Sequence, residues 1–254
     1  MALLELKSVS HTYHSNAGET QALNNINLIV EEREFVSIVG PSGCGKSTLL
    51  STLAGLITPS EGEVTIYDKP LSSNKDLIAL MPQRDQLFEW RTVLNNVLLS
   101  PEIKRKKTPE VIAYAKQLLN KYGLADFMQK RPSELSGGMR QRVALIRTLV
   151  GAPKLLLLDE PFSALDFQTR LSVCDDVSRI IDEEQKTTIL VTHDIGEAIS
   201  MSSKVIVLTE RPAQIKKIYN IDLGRHLPPL KRREQKAFNV YFRSIWKDLE
   251  VNDE

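Results

Sequence analysis

Nine consecutive residues, Gly40-Pro41-Ser42-Gly43-Cys44-Gly45-Lys46-Ser47-Thr48, are rich in glycine and end in a lysine followed by two hydroxyl side chains. They follow the apolar run 35–39, which is typical of a buried strand, and a helix is predicted from Lys46. Glycines let consecutive backbone N–H groups turn toward phosphate oxygens, and a helix N-terminus adds positive potential. We therefore call residues 40–48 the phosphate loop and interpret them as a nucleotide site.

Three side chains of the phosphate loop have expected roles. Lys46 can reach the terminal phosphates of the nucleotide, Ser47 can bind Mg²⁺, and Thr48 can donate a further hydroxyl. The other interpretation of such a sequence is a glycine-rich turn before an ordinary helix. A buried strand before the loop and a helix after it favour the phosphate site.

On both sides of the phosphate loop, compact apolar runs alternate with helical patterns. Strands are predicted at 26–30, 34–39, 155–159, 188–192 and 204–208, and helices at 46–54, 109–122, 139–150, 167–184 and 231–249. Strands that alternate with helices predict an α/β fold with a covered sheet.

Residues 85–152 contain helical patterns and loops but no predicted strand. The helix at 109–122 is the best marked of these patterns, because Thr108 is a suitable N-cap and Pro109 suits the first helical position. We expect one domain over residues 1–254. Its nucleotide-binding core is predicted at 1–84 with 153–230, an inserted helical subdomain at 85–152, and a C-terminal helix at 231–254.

Composition limits the classes of partner. The 254 residues include 33 Lys and Arg against 32 Asp and Glu, so no overall basic field is present to hold nucleic acid. Cys44 and Cys174 are the only cysteines, which argues against a disulfide framework or a zinc site. The N-terminus lacks a secretory pattern, and the apolar runs are far shorter than the roughly 18 residues that span a bilayer.

Two carboxylates end the apolar strand at 155–159. Asp159 is expected to join the Mg²⁺ shell, and Glu160 could act as a general base toward the attacking water. An apolar strand that ends in two acids is also common at the start of a solvated loop. The phosphate loop in the same chain favours the functional interpretation.

Four further features are ambiguous when each is taken alone. Ser136-Gly137-Gly138 precedes a predicted helix and could receive a second anion, or could be an N-cap followed by flexible glycines. His193 closes a strand at the same predicted sheet edge as Asp159, although such a histidine is usually structural. Gln83 fits a surface loop, and Tyr13 fits either a strand or an aromatic that stacks on a base.

The order of these motifs over residues 1 to 225 resembles that of ATP-binding cassette (ABC) ATPase subunits. The resemblance implies a P-loop NTPase fold, with a RecA-like core sheet, an inserted α-helical subdomain and an N-terminal antiparallel β-region, and it implies that the nucleotide is ATP. By resemblance, Tyr13 stacks on adenine and the phosphate loop is Walker A. Gln83 is then the Q-loop residue, which senses Mg²⁺ and the transporter interface.

The remaining family motifs follow in order. Leu135-Ser136-Gly137-Gly138-Met139 matches the signature motif, Asp159-Glu160 the Walker B pair, and Ser163-Ala164-Leu165-Asp166 the D-loop. His193 matches the switch histidine. Met139 departs from the family, which most often has Gln at that position, so one side-chain contact with the opposing nucleotide is expected to be lost.

The resemblance also implies a mechanism. Two cassettes would pair head to tail as a homodimer, with Ser136, Gly137 and Gly138 of each closing on the ATP of the other. Glu160, His193 and Lys46 would be the catalytic residues. Ser47, Gln83 and Asp159 would hold Mg²⁺.

A narrower resemblance, to ATPases of nitrate, sulfonate and taurine importers, comes from residues 88–93, Asn96-Val97, Glu210-Arg211-Pro212 and Ile245-Trp246. It implies transmembrane permease subunits, an extracytoplasmic substrate-binding protein, a small anion or sulfonate-like cargo, and a peripheral position on the cytoplasmic face of the membrane. No nucleic acid partner is expected.

Two alternatives are an ABC exporter ATPase and an ABC ATPase that acts on ribosomes or DNA. The 90 positions between Lys46 and Ser136 are too few for the long heptad insertion typical of DNA-repair members. The catalytic motifs leave the exporter open.

Overall fold

The computed structural model describes residues 1–15, 18–224 and 226–250 of the chain, so the last four residues of the predicted C-terminal segment lie outside the described residues. Ten strands are observed, namely β1 Ala2–Ser15, β2 Gly18–Glu31, β3 Phe35–Val39, β4 Glu61–Ile66, β5 Lys69–Pro70, β6 Ile78–Met81, β7 Leu155–Asp159, β8 Thr187–Val191, β9 Lys204–Leu208 and β10 Ile215–Asn220.

The described residues form nine α-helices, namely α1 Lys46–Leu53, α2 Val93–Val97, α3 Leu99–Ile103, α4 Pro109–Lys121, α5 Gly137–Leu149, α6 Phe167–Glu183, α7 Ile195–Met201, α8 Pro229–Arg233 and α9 Lys236–Leu249. Within this part of the chain, no helix combines the length and the apolar character that a bilayer span needs.

The larger sheet has six strands in the order β10-β9-β3-β8-β7-β6. Strands β9, β3, β8, β7 and β6 are parallel, and β10 pairs antiparallel with β9 at one edge. The phosphate loop follows β3, the Asp159-Glu160 pair ends β7, and His193 follows β8. Because parallel strands end at the same edge of a sheet, these segments lie side by side.

Both faces of the larger sheet are covered, and alternate residues of β7 show this. Leu155 and Leu157 are fully buried in a cluster with α1 and the smaller sheet. Leu156 and Leu158 are fully buried in a second cluster, with residues of α2, α4, α5 and α6. A strand that is buried on both faces is apolar throughout, as the run of four leucines predicts.

The smaller sheet has four antiparallel strands in the order β2-β1-β4-β5. Register shifts interrupt the pairing of β1 with β2, and Ser8 and Asn25 have φ values of 50° near these shifts. Such bulges bend a strand and strengthen its twist, which lets the sheet curve over α1 and β3.

Residues 85–152 contain α2 to α5 and short 3₁₀ turns, and β6 and β7 lie outside this range. The expectation of helices without strands is therefore correct for this segment. Its buried residues Val97, Leu119 and Val143 belong to the same apolar cluster as Leu156 and Leu158 of the sheet. The division of the chain into a core and an inserted subdomain stays a prediction.

The single C-terminal helix predicted from residue 231 is wrong, because α8 and α9 are separated by an extended Gln235. Arg232 of α8 is 3 % exposed and donates hydrogen bonds to the carbonyls of Ser200 and Ser202, at the end of α7. In one continuous helix, Arg232 and Ile245 would point about 140° apart. The break allows both side chains to be buried.

The predicted helix at 139–150 also begins earlier than expected, since α5 starts at Gly137. The Ser136 hydroxyl accepts a hydrogen bond from the Met139 N–H at 3.4 Å, which places both glycines in the first helical turn. Glycine has a low helix propensity, so the pattern alone placed the start too late.

Replacement of Ile245 by alanine should destabilise the protein by about 2–5 kcal/mol, because Ile245 is fully buried between α9 and α7. Val240, on the same helix, is 65 % exposed, and Val240→Ala should change the free energy of unfolding by less than about 0.5 kcal/mol. Urea denaturation of both variants measures the difference. Equal midpoints would contradict the packing of α9 on the core.

Candidate nucleotide site

The phosphate loop connects β3 to α1 and depends on its glycines. Gly43 and Gly45 have φ values of 72° and 129°, which side-chain-bearing residues rarely adopt. A Cβ atom at Gly45 would also lie 2.7 Å from the carbonyl oxygen of Ala22, which is too close. The loop conformation therefore requires glycine at this position for two independent reasons.

Lys46, at the first position of α1, is folded over the loop that precedes it. Its Nζ atom donates hydrogen bonds to the carbonyl oxygens of Gly40 and Pro41, at 2.7 and 2.8 Å, and the residue is 8 % exposed. Ser47, one position later, is exposed. The loop thus holds a buried ammonium group against the carbonyls of its first two residues and presents a hydroxyl at its surface.

Tyr13 lies at the side of the phosphate loop. Its hydroxyl is 3.2 Å from Oγ1 of Thr48, and the residue is 42 % exposed. His11 contacts the Tyr13 ring edge to face, with the ring centroids 4.6 Å apart. An exposed aromatic ring beside a phosphate loop is suited to stacking on a base.

Asp159 ends β7 and interacts electrostatically with Lys46. Burial raises the pKa of the Asp159 carboxyl above its ordinary value, the neighbouring Glu160 carboxylate raises it further, and the Lys46 ammonium opposes both effects. A second cation next to Asp159 would favour its ionised form in the same way.

Glu160 is the centre of a polar cluster. Its Oε2 atom is 3.0 Å from Nδ1 of His193 and accepts a hydrogen bond from Nε2 of Gln83 at 3.3 Å. Gln83 also donates to the Ser163 hydroxyl, which donates in turn to the Glu160 carbonyl at 3.0 Å. Residues that are up to 110 positions apart in sequence are thereby brought together.

The backbone of Glu160 is itself unusual. Its φ value is 41°, in the left-handed region that costs a non-glycine residue about 1–3 kcal/mol. The Glu160 N–H donates to the carbonyl of Val191 at 2.8 Å, and the Ser163 N–H donates to the Glu160 carbonyl. The strained conformation is therefore held by backbone contacts with β8 and with the following turn.

The structure does not bring Ser136, Gly137 and Gly138 to the phosphate loop of the same chain. No hydrogen bond joins these three residues to residues 40–48 in the described part of the molecule. Gly137 instead lies against Leu165, and Gly138 lies against Val173 of α6. The backbone N–H groups of this helix N-terminus therefore belong to a different part of the surface.

Sequence reasoning missed an ion-pair network between residues 85–89, shortly after Gln83, and helix α5, which begins within the signature motif. Arg140 donates to both carboxylate oxygens of Asp85, at 2.7 and 3.1 Å, and to Glu89 at 2.8 Å. Arg147 donates to the backbone carbonyls of Asp85 and Gln86. Burial would raise the pKa of Asp85, but the hydrogen bonds from Arg140 and from the Leu87 N–H hold it below its ordinary value.

The one available sequence signal for this network is the spacing of Arg140 and Arg147. Seven positions correspond to two turns of a helix, so both arginines lie on one face of α5. Nothing in the sequence shows that this face meets residues 85–89.

The donor set at the loop fits Mg²⁺. The described residues contain no cluster of three or more His, Cys, Asp or Glu side chains that could hold a metal unaided. Mg²⁺ beside nucleotide phosphates, however, normally uses only one or two carboxylates in addition to phosphate oxygens and water. Asp159 provides one carboxylate, and the Ser47 hydroxyl and the Gln83 amide provide further oxygen donors.

Residues 23–163 match the family model described as "ABC transporter". The chain is 48 % identical over 251 residues to the uncharacterised ABC transporter ATP-binding protein YtlC of Bacillus subtilis, covering 98 % of this chain and 96 % of YtlC. It is 37 % identical over 250 residues to the taurine import ATP-binding protein TauB of Jannaschia sp., covering 98 % and 93 % of the two chains.

Solved structures agree with these sequence relatives. The ATP-binding cassette MJ0796, in a dimeric structure of a post-hydrolysis state bound to ADP and Pi, superposes with a TM-score of 0.73 at 32 % identity. The superposition covers 87 % of this chain and 99 % of MJ0796. The α/β cassette fold and the resemblance derived from the motifs are thereby confirmed. The chain belongs to the ABC transporter family, as one of its ATP-binding and ATP-hydrolysing subunits.

Proposed function

We propose that this chain energises an ABC importer for small anions or sulfonate-like solutes, through ATP hydrolysis at the phosphate loop. The observation that carries the hydrolysis part of the proposal is the cluster of Gln83, Glu160 and His193 at the sheet edge where the phosphate loop follows β3. The name of TauB, a taurine import protein, supports the importer assignment and the class of cargo.

In this proposal, ATP lies across the loop, with adenine on the Tyr13 ring and the phosphates on the N–H groups of residues 40–48. The Lys46 ammonium group, which is hydrogen-bonded to the carbonyls of Gly40 and Pro41, would contact the terminal phosphates. Ser47, Asp159 and Gln83 would hold Mg²⁺, which would neutralise charge on the β- and γ-phosphates when bound.

Hydrolysis requires a base for the water and a group that holds the γ-phosphate. Glu160 would accept the proton of the attacking water, because its carboxylate is positioned by His193 and Gln83. With Nδ1 of His193 at Glu160, the opposite ring nitrogen is left for the γ-phosphate. Lys46 would stabilise the charge that develops in the transition state.

A head-to-tail homodimer would complete the site. Ser136, Gly137 and Gly138 form a helix N-terminus with no hydrogen bond to the phosphate loop in the described part of the chain, and such termini bind anions. The dimeric structure of MJ0796 supports a pairing of two cassettes, in which this terminus would close on the ATP of the second cassette. Met139 offers no amide there, so the Ser136 hydroxyl and the backbone would make the contact.

A groove beside the Q-loop is the proposed docking surface for the permease subunits. It has a volume of about 610 Å³ and is lined in part by Leu80, Phe88, Leu99 and Ile103. Ile103 is 73 % exposed, and the 72 % exposed Trp90 stacks on Phe88. Docking there would place the chain on the cytoplasmic face of the membrane. The proposed system also includes an extracytoplasmic substrate-binding protein, and no nucleic acid partner is proposed.

Lys46→Ala should weaken ATP binding. Hydrogen bonds to charged groups contribute about 1.5–3 kcal/mol, so the dissociation constant should rise roughly 10-fold to 100-fold. Isothermal titration calorimetry with ATP measures it. Lys75→Ala is the matched control, because the Lys75 ammonium also donates to a backbone carbonyl, that of Gly55, and its ATP affinity should not change. Equal affinities in the two variants would refute the proposed role of Lys46.

Glu160→Gln should bind ATP normally but lose about 10²-fold or more of the hydrolysis rate, because the amide cannot accept the proton of the attacking water. Phosphate release under single-turnover conditions measures the rate. Glu63→Gln, at a side chain that is 61 % exposed on β4, serves as the control and should hydrolyse ATP at the unchanged rate. A Glu160→Gln variant with near-normal turnover would rule out this residue as the base.

Affinity capture of the full chain from detergent extracts of its own membranes should recover a polytopic membrane protein. Ile103→Asp in the groove should reduce that recovery, because a charge in an apolar contact is costly to bury. Val240→Asp, at an apolar position on α9 that is also largely exposed, should leave it unchanged. Recovery of ribosomes or DNA in place of a membrane protein would overturn the importer proposal.

A further inference from the structure

Helix α6 begins immediately after the D-loop residues 163–166, and Arg170 lies in its first turn. The Arg170 side chain forms an ion pair with Asp194, the residue after His193. We propose that Arg170 is a positioning residue that holds His193 in register with Glu160 by linking the D-loop to the N-terminus of α7. This inference rests on the proposed function, in which Glu160 and His193 act on the γ-phosphate of ATP.

The Arg170 guanidinium contacts two elements at once. One nitrogen donates a hydrogen bond to the Leu165 carbonyl of the D-loop at 3.0 Å. The others form ion pairs with Asp194 at 3.6 Å and with Glu197 at 3.8 Å, on α7 and its N-cap. A planar guanidinium holds five N–H donors in a fixed, forked geometry, whereas a lysine ammonium is a compact charge on a flexible chain.

Glu197 extends the link to both neighbours of His193. Its side chain is almost fully buried, and its Oε2 atom accepts a hydrogen bond from the Thr192 hydroxyl at 2.7 Å. The Glu197 N–H donates to the Asp194 carboxylate at 2.9 Å, and the Asp194 N–H donates to Thr192 Oγ1 at 3.1 Å. Thr192 and Asp194 flank His193, so the backbone on each side of the imidazole is fixed.

Burial raises the pKa of Glu197, and the Thr192 hydrogen bond and the positive charge of Arg170 oppose that rise. A buried carboxylate needs a cation or hydrogen-bond donors to remain in place. Loss of Arg170 would therefore disturb Glu197 and free the D-loop carbonyl at the same time.

These contacts close a ring. The Ser163 hydroxyl of the D-loop donates to the Glu160 carbonyl, and Arg170 donates to the Leu165 carbonyl of the same loop. Arg170 also forms an ion pair with Glu197, which accepts a hydrogen bond from Thr192, the residue before His193. His193 returns to Glu160 through the 3.0 Å contact of its Nδ1 atom. Arg170 is the long-range connection between the two halves of this ring.

The chain offers a matched control in Arg233 of α8. A Cβ atom at Gly196 would lie 3.0 Å from Nη1 of Arg233, so this arginine is a second cation at the N-terminal turn of α7. In the described part of the molecule, no hydrogen bond or ion pair joins Arg233 to residues 163–166. Its replacement removes a charge near α7 but leaves the D-loop link intact.

The test is the steady-state ATPase activity of the full chain, measured as kcat and KM for ATP. Arg170→Gln should lower kcat on the order of 10-fold to 100-fold, because small displacements of reacting groups have effects of that size. The KM for ATP should stay within about twofold, since no ATP contact is removed. Arg170→Lys should recover part of the loss, and Arg233→Gln should keep a kcat close to that of the original chain.

A double-mutant cycle separates a shared link from two independent effects. If Arg170 acts through Glu197, the double variant Arg170→Gln/Glu197→Gln should be no slower than the slower single variant. Multiplied losses would overturn the inference, as would equal kcat values for Arg170→Gln and Arg233→Gln. Melting temperatures show which variants are folded at the assay temperature, and Arg170→Lys supplies the comparison if Arg170→Gln is not folded.

His193→Ala is measured in parallel to keep the two proposals distinguishable. Normal hydrolysis by His193→Ala would contradict the proposed role of His193 and, with it, the basis of the inference. Loss of hydrolysis in His193→Ala with a normal kcat in Arg170→Gln would overturn the inference alone.

Discussion

Parallel pairing of β7 with β8 sets the geometry of the candidate site. Asp159 is in register with Val191, so the residues that follow each strand emerge at the same level of the sheet. The Glu160 N–H donates to the Val191 carbonyl, which extends the pairing by one residue and holds Glu160 in its left-handed conformation. The 3.0 Å contact between Glu160 and His193 is a direct consequence of this register. A shift of one residue would turn these side chains to opposite faces.

The same strands also provide the burial that makes the charges interact. Asp159 lies partly within the protein, where desolvation raises its pKa and Lys46 acts in the opposite direction. Charges in such surroundings interact more strongly than charges in water. The apolar clusters on both faces of the sheet are therefore part of the site, since they exclude water from one side of it.

Much of the fold was predictable because its signals are local. The run of four leucines before Asp159, the glycines of the phosphate loop and the N-cap of α4 each determine structure within a few residues. The motif order then indicated the family, which the comparisons confirm, and a candidate ATP site. The first two strands of the smaller sheet were harder to predict, because Ser8 and Asn25 interrupt the alternation of β1 and β2 at bulges.

The features that the sequence could not show depend on tertiary contacts. Arg140 meets Asp85 across 55 positions of sequence, and Arg170 meets Glu197 from another helix. Arg232 is buried because it donates to carbonyls at the end of α7, which a pattern in α8 cannot show. Charged residues in helical patterns are usually solvent-exposed, so the burial of Glu197 and Arg232 and the partial burial of Arg140 and Arg170 are visible only once the helices are packed together.

The antiparallel strand β10 has a consequence for assembly. It lies at the edge of the larger sheet, and unpaired edge strands can add strands from other molecules. Lys216 and Lys217 are exposed on β10 and bind Asp248 of α9. Lysines on an edge strand, held by a helix that lies alongside it, discourage continuation of the sheet into another molecule. Contacts between copies are thereby directed to side-chain surfaces, where they can form and separate without rearrangement of backbone hydrogen bonds.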